Sequence, residues 1–171
     1  MTASFAPSVV MTSLQSIEQF LYREAELCDA MDWDSYIQLY DEKCEFHLPQ
    51  WISETEFATD PKTQLSHIYW KSRAGLEDRI FRIRTGRAAA YRPPFRTVHM
   101  ITNLRPRGAA DGAWTVKANW STHFFRTGTA GLFFGWSEYL LAPHGESWKI
   151  ARKHVVILND VVNHVLDFYH F

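Results

Sequence analysis

The sequence has little net charge, few cysteines and no apolar run of membrane length. Lys and Arg number 18 against 19 Asp and Glu, so the formal net charge is −1, which argues against a general nucleic-acid or anionic-membrane binder. Two cysteines in 171 residues do not form a disulfide framework and fit a reducing cytosol. Residues 1–13 contain neither Lys nor Arg and no long apolar run, unlike a signal peptide or membrane helix. We therefore expect a cytoplasmic protein in which any dense charge cluster has a local reason.

Motifs of the common metal, phosphate and nucleophile sites are missing from the sequence too. A Rieske cluster needs a Cys-x-His segment paired with a Cys-x-x-His segment. Cys44 and His47 have the second spacing, but the sequence has no Cys-x-His segment to pair with it. The sequence has no Gly-x-Ser-x-Gly turn, no Gly-rich phosphate loop and no His-x-x-x-His pair on a predicted helix,. We expect no metal or cofactor site in this chain.

The N-terminal part of the chain predicts two helices. A helix over 14–31 is indicated by three- and four-residue apolar spacing, and Thr12 with Gln15 resembles a capping box at its start. Asp32 or Asp34 is expected to cap a short second helix. The apolar positions of the first helix are Leu14, Ile17, Leu21, Ala25 and Cys28.

An arginine-rich stretch, GLEDRIFRIRTGR at 75–87, follows a predicted strand at 44–52 and a polar loop at 53–63. We interpret it as the end of a helix over 66–84, because Leu76, Ile80 and Ile83 share one face. The remaining residues fit a solvated helix face, since Asp78 and Arg82 are four apart and arginines in the last turn offset the helix dipole. A solvated helix with a basic end therefore explains much of the cluster.

The chain after Pro93-Pro94 predicts a meander of long strands. Alternating apolar and polar residues indicate strands over 97–104, 114–126, 132–141 and 148–158, and the turns carry Pro106, Gly108, the Asp111-Gly112 pair, Gly128, Gly131, Pro143 and Gly145. Helices followed by strands predict an α+β fold in which N-terminal helices pack on a curved, mainly antiparallel sheet. We expect a single domain over 1–171, with an extension at 1–12 and a tail at 160–171.

Two helices packed into the hollow of a strongly curved sheet form a cone, which can enclose either a pocket for acid–base chemistry or simply a core. A cofactor-free dehydratase or isomerase would pair a carboxylate with a His or Tyr inside the cone, one group abstracting a proton while Tyr polarises a carbonyl. Each candidate also has a purely structural explanation, such as a helix cap for Asp34. The candidates are Asp34, Asp41, Tyr36, Tyr40, His99 and His123.

The run from Asp78 to Pro106, DRIFRIRTGRAAAYRPPFRTVHMITNLRP, resembles the central region of the small β subunits of aromatic-ring-hydroxylating dioxygenases. That family has an Arg-rich helix end, a Thr-Gly-Arg or similar turn, a Pro-Pro or Pro-x-Pro break, and Arg-Thr-x-His leading into a strand that ends in Ser/Thr-Asn. The preceding YWKSRAGLEDR at 69–79 is similar to the benzoate and anthranilate branch. The matching residues are Arg79, Arg82, Arg84, Thr85, Gly86, Arg87, Pro93, Pro94, Arg96, Thr97, His99, Thr102 and Asn103.

This resemblance implies a cone-shaped fold of the ketosteroid isomerase/NTF2-like (cystatin-like) type and a structural, non-catalytic role. It implies a larger α subunit that holds a Rieske [2Fe–2S] cluster and a mononuclear Fe(II), usually in an α3β3 hexamer with β–β contacts. A reductase, with or without a ferredoxin, would supply electrons from NADH. The implied reaction of the complex is insertion of both atoms of O2 into adjacent carbons of a carboxylated monocyclic aromatic of the benzoate, anthranilate or halobenzoate type.

The resemblance also gives the arginine-rich stretch a second interpretation. Arginine suits interfaces because its planar fork binds carboxylates and carbonyls. We predict that part of the cluster forms ion pairs within or between β subunits and that the rest faces α. The candidate interface residues are Arg79, Arg82, Arg84, Arg87 and Arg96. The freestanding acid–base enzyme remains the alternative.

Overall fold

The computed structural model describes residues 13–88 and 91–171, which form two helices, two strands, a third helix and four further strands, with all six strands in one sheet. The helices are α1 (Ser13–Asp29), α2 (Trp33–Ile37) and α3 (Ala74–Arg84). The strands are β1 (Tyr40–Pro49), β2 (Ser66–Trp70), β3 (Arg96–Gly108), β4 (Trp114–Arg126), β5 (Thr129–His144) and β6 (Ser147–Ile157), with single 3-10 turns at Ala110–Gly112 and Phe168–His170. The predicted α+β fold is confirmed.

The two N-terminal helices form as their patterns predict. In α1 the side chains of Ile17, Leu21 and Cys28 are buried along one face, because residues three and four apart project in the same direction. The carboxylate of Asp32 caps α2 by accepting a hydrogen bond from the backbone N–H of Ser35 at 3.2 Å. The proposed capping residue Thr12 and the predicted extension at 1–12 lie outside the described residues.

The sheet has the strand order β2-β1-β6-β5-β4-β3. Every neighbouring pair is antiparallel except β1 and β6, which run parallel. This parallel pair is where the N-terminal half joins the C-terminal meander, and α1 packs against the inner face through β3 and β6. The mainly antiparallel sheet is therefore confirmed, and β2 and β3 form its two edges.

One segment differs from the prediction in kind. The helix expected over 66–84 is wrong in its first part, because residues 66–70 form β2 and pair antiparallel with β1. Helical periodicity begins only at α3, and the aromatic and β-branched residues of β2 suit a pleated strand better than a helix. The sequence does not show that these residues pair with β1. A strand of only five residues forms because β1 offers it a free edge.

The other strand boundaries differ in length. The strand predicted at 44–52 begins earlier, at Tyr40, and ends at Pro49, where the pairing register shifts as expected of a proline at an edge or bend,. β3 runs on through Pro106 and Gly108, which were expected in a turn. The chain reverses instead at Asp111 and Gly112, both of which have positive φ. Strand β4 has the predicted bounds, and its predicted alternation is confirmed by a buried inner face.

The hydrophobic core lies between the helices and the inner face of the sheet. It is a single cluster that extends from α1 to the end of the tail. The tail predicted at 160–171 contributes four consecutive buried residues, Phe168–Phe171, whose rings pack edge-on against Trp33, Phe95 and Trp120. The last residues of the chain therefore fill the interior of the sheet. The single-domain assignment over 1–171 stays a prediction.

Candidate subunit interface and cone interior

A buried ion pair occupies the middle of the space between α1 and the sheet. Lys153 on β6 donates to the carboxylate of Glu24 on α1 at 2.6 Å, and both side chains are almost completely buried. The hydroxyl of Tyr40 donates to the same carboxylate oxygen at 2.5 Å, and the Tyr36 hydroxyl shares a 2.7 Å hydrogen bond with Tyr40. Lys153 also donates to the backbone carbonyl of Phe171 at 3.1 Å. Buried charges persist only when paired and hydrogen-bonded in this way.

The electrostatics of the pair follow from its burial. Desolvation alone would lower the pKa of Lys153, but the adjacent Glu24 carboxylate outweighs it and raises that pKa above its ordinary value. Burial, with the nearby carboxylate second, raises the pKa of Tyr36 and of Tyr40. The tyrosines therefore stay protonated and donate, which suits a structural network better than proton transfer to a substrate.

A second polar contact joins the end of α1 to β3. The ring Nδ1 of His99 lies 2.6 Å from the carboxylate of Asp29, which also accepts from the backbone N–H of His99 at 3.0 Å and the hydroxyl of Thr97 at 2.8 Å. Burial raises the pKa of Asp29, but the contacts with His99 outweigh it, so that pKa lies below its ordinary value. This contact fixes the helix against the strand at the sheet edge.

The space that remains inside the cone is too small for a substrate. Next to His99 and Phe171 lies a cavity with a free volume of about 10 Å³, which is about the volume needed to hold one water molecule. The Nε2 of His99 and the Nε1 of Trp120 are buried near it, and neither has a hydrogen-bond partner among residues 13–88 and 91–171. The cavity could therefore hold a water but not an aromatic ring.

The acid–base candidates from the sequence do not meet in an open pocket. The carboxylate of Asp34 is 85% exposed and pairs with Arg84 at 2.8 Å on the surface. Asp41 accepts from a nearby backbone N–H at 2.8 Å, and His123 is exposed on the opposite side of the sheet. Tyr36 and Tyr40 lie in the buried network around Glu24. His99 lines both the small cavity and an open groove of about 720 Å³ between α1 and β3, but none of the other candidates lines that groove with it. The geometry does not support the freestanding dehydratase or isomerase.

The predicted arginine cluster divides into several environments. Arg79 binds the buried carboxylate of Asp167 through two N–H donors, one of which lies at 3.2 Å, and so attaches α3 to the tail. Arg82 pairs with Asp78 at 2.7 Å on the helix surface. Arg84 makes the surface pair with Asp34 described above. Exposed pairs of this kind contribute little to stability, about 0–1 kcal/mol.

The last two arginines of the cluster, Arg87 and Arg96, form no ion pair with a residue that the structure describes. The guanidinium of Arg87 lies 5.8 Å from the ring of Phe81, an exposed aromatic on α3, in the range of a cation–π contact. Arg96 lies apart, exposed at the start of edge strand β3. Whether these residues contact another subunit stays a prediction.

Sequence reasoning missed the buried ion pair, although a signal was present. Glu24 follows Leu21 by three residues and precedes Cys28 by four, so it lies on the apolar face of α1. Lys153 is likewise buried on the inner face of β6. A charge inside an apolar stripe indicates a buried partner, but the pattern does not say which of the chain's opposite charges that partner is.

The described part of the chain contains neither a metal-binding cluster nor a membrane-spanning helix. Among these residues no three His, Cys, Asp or Glu side chains lie close enough together to hold a metal ion. None of the described helices is long and apolar enough to cross a membrane.

Comparison with known proteins identifies the family. The model of the ring-hydroxylating β subunit family matches residues 23–164. The small subunit of anthranilate 1,2-dioxygenase from Acinetobacter baylyi is 50% identical over 155 residues, covering 91% of this chain and 95% of that one. The crystal structure of the β subunit of benzoate 1,2-dioxygenase from Burkholderia mallei superposes with a TM-score of 0.78 at 36% identity, covering 94% and 98% of the two chains.

A more distant structure shares only the fold. A scytalone dehydratase-like protein from Novosphingobium aromaticivorans matches with a TM-score of 0.63 at 16% identity, covering 85% of this chain and 84% of that one. The expected cone-shaped NTF2-like fold is therefore confirmed, and a shared fold does not transfer an activity. The sequence resemblance at 78–106 is confirmed by the family match, and the chain belongs to the family of ring-hydroxylating β subunits, which are components of ring-hydroxylating dioxygenases.

Proposed function

We propose that this chain is the structural β subunit of a terminal oxygenase and carries no catalytic residue of its own. The observation that carries the proposal is the filled cone, in which the ion pair of Glu24 and Lys153 and the aromatic tail occupy the space a substrate would need. Catalysis then belongs to a larger α subunit, which would hold the Rieske [2Fe–2S] cluster and the mononuclear Fe(II). We further propose an α3β3 hexamer in the cytoplasm, with electrons from NADH delivered by a reductase, with or without a ferredoxin.

The substrate of the complex is proposed to be a carboxylated monocyclic aromatic. Similarity to an anthranilate dioxygenase subunit at 50% identity and to a benzoate dioxygenase subunit at 36% identity supports this class. We propose anthranilate first, followed by benzoate and halobenzoates. Dihydroxylation of adjacent ring carbons is the expected reaction, and a substrate with an ortho leaving group would give a catechol.

Parts of the arginine cluster are proposed to contact other subunits. Arg82 and Arg84 on α3 and Arg87 just beyond its end are exposed. The surface ion pairs of Arg82 and Arg84 are weak and can be exchanged for contacts with another chain. Arg79 is proposed to act within the chain, because its partner Asp167 is buried. If Arg82→Ala and Arg87→Ala each leave assembly with α and the activity of the complex unchanged, the interface role of the arginine cluster is wrong.

The test of the proposed function is purification of the tagged chain from its native host. We expect a larger iron–sulfur chain to co-purify at equal stoichiometry, to give a brown solution with Rieske absorbance, and to have the native mass of a hexamer. With reductase, NADH and O2, this complex is expected to convert anthranilate more rapidly than benzoate. A colourless preparation that contains only this chain would overturn the proposal.

A further inference from the structure

The charges of the chain are separated across the sheet. β3 and β4 contain no Asp or Glu at all, although the whole chain is nearly neutral. The residues around the opposite end of the sheet, at 50–60, contain three acids and no Lys or Arg. A chain with a basic region and an acidic region on one surface can bind a second copy of itself through both. The basic residues of β3 and β4 are Arg96, Arg105, Arg107, Lys117 and Arg126.

An exposed apolar surface lies between these two regions. Five large apolar side chains on the outer face of β3, β4 and β5 are between 41% and 59% exposed. The strand register places them together, because Val98 pairs with His123, which pairs with Leu132, and the next row places Met100 beside Ser121 and Phe134. Exposed apolar side chains that lie side by side indicate an interaction surface. We name Val98, Met100, Phe125, Leu132 and Phe134 the outer strip.

The outer strip is basic at one end. Arg96 begins β3 and is the cross-strand partner of Phe125. Its side chain is exposed, and among residues 13–88 and 91–171 it has no carboxylate partner. No acid lies on β3 or β4 to neutralise it. A guanidinium at the border of an apolar surface is a common anchor of interfaces.

The outer strip ends in an acidic groove on the other side. The backbone N–H of Leu158 donates to the carbonyl of Phe134 at 2.8 Å, so the groove adjoins the strip directly. Its volume is about 510 Å³, enough for a guanidinium and an adjoining apolar side chain. Neither of its carboxylates has a cation partner in the described part of the chain. The acidic groove is lined by Trp51, Ile52, Glu54, Leu158 and Asp160.

We propose that the acidic groove receives the basic end of the outer strip of a second copy of this chain. Arg96 of one copy would lie against the carboxylates of Glu54 and Asp160 in the next, while the apolar side chains of the strip cover Trp51 and Ile52. The argument for a second copy is charge complementarity, since the cation and the carboxylates both belong to this chain and neither is neutralised by the residues that the structure describes. The inference rests on the proposed function and identifies the surfaces of its β–β contact.

Charge reversal of the purified full-length chain, followed by sedimentation velocity over a concentration series, tests the contact. We expect the wild type to self-associate, and Arg96→Glu and Glu54→Arg each to raise the dissociation constant by about tenfold or more, because each places like charges opposite one another. The double variant R96E/E54R restores opposite charges and is expected to recover self-association. Lys71→Glu and Glu146→Arg are the controls, because they make the same charge changes at exposed positions outside both surfaces.

Salt gives an independent readout. Raising the ionic strength from about 0.05 M to about 0.5 M is expected to weaken self-association of the wild type, because exposed charges are screened. A monomeric wild type, controls that act like the test variants, or a double variant that associates no better than the singles would each overturn the inference.

The failure of this inference is distinguishable from failure of the proposed function. If the single reversals leave self-association unchanged but prevent co-purification of the larger iron–sulfur chain, the surface binds α and the inference is wrong while the proposed function stands. If no iron–sulfur chain co-purifies with the wild type, the proposed function fails whatever the chain's own oligomeric state.

Discussion

Removal of one member of the buried ion pair is the most decisive test of how the cone is held together. Glu24→Gln leaves the shape of the side chain almost unchanged but removes the charge that faces Lys153 at 2.6 Å. The ammonium group is fully buried, so it must either remain charged without a partner or lose its proton. Loss of the proton at pH 7 from an ordinary pKa of about 10.4 costs about 4.6 kcal/mol, at about 1.36 kcal/mol for each unit. We expect the free energy of unfolding to fall by about 3–5 kcal/mol.

The pH dependence of that loss separates charge from packing. In Glu24→Gln the folded-state pKa of Lys153 falls below the unfolded value, so the unfolded state binds more protons between pH 7 and pH 9. Stability of the variant must therefore rise over this window by about 1.36 kcal/mol per pH unit relative to wild type. In the wild type the pKa of Lys153 is raised, so its contribution is complete below the unfolded value and is lost only as the pH rises through the folded value.

Urea unfolding of the full chain, followed by tryptophan fluorescence, measures both effects. The double variant E24Q/K153M removes the unpaired ammonium, and we expect it to recover most of the loss because no uncompensated charge remains. Glu26→Gln is the control, since Glu26 lies on the same helix in an exposed pair with Arg23 and should change stability by about 0.5 kcal/mol or less. A loss that persists in the double variant and does not vary with pH would refute the electrostatic reasoning.

Three further outcomes follow from the structure. Arg79→Ala is expected to lower the unfolding free energy by about 1.5–3 kcal/mol and to expose the tail to proteases, because it leaves a buried carboxylate without its charged donors. Arg82→Ala is the control and should lower the unfolding free energy by about 1 kcal/mol or less. Equal losses in the two variants would contradict this prediction. Gly135→Ala should lower the free energy of unfolding in urea by about 1–3 kcal/mol or more, because a Cβ at this position would lie 1.9 Å from the carbonyl oxygen of a β6 residue. Gly108→Ala is the control, because a Cβ there would meet open space. The pKa of Asp29 is lowered in the folded state, so its contribution to stability is present above about pH 3.9 and is lost as the pH falls through the folded value. The stability of Asp29→Asn should therefore fall less than that of the wild type as the pH is lowered. An identical loss of stability with falling pH in both proteins would contradict the role of the contact with His99.

The elements that local periodicity specifies were predictable. The apolar stripe of α1 and the alternation of β4 each repeat with the period of one structure over more than ten residues, and that is enough to determine their type. The motif at 78–106 was specific enough to predict the family. Strand β2 was not predictable in the same way, because a segment of only five residues shows too little periodicity to determine its type and forms a strand through pairing with the edge of β1.

The sequence by itself determined the two N-terminal helices, the long strands, the α+β class and the family. Only the tertiary structure decided which charges meet, because Glu24 and Lys153 are separated by 129 residues along the chain and no local pattern joins them. It also separated arginines that are neighbours in sequence, since Arg79 faces the buried tail while Arg82 faces solvent. A helix turns 100° per residue, so residues three apart can still meet different surroundings at the edge of a packed face, and those surroundings are set by distant parts of the chain.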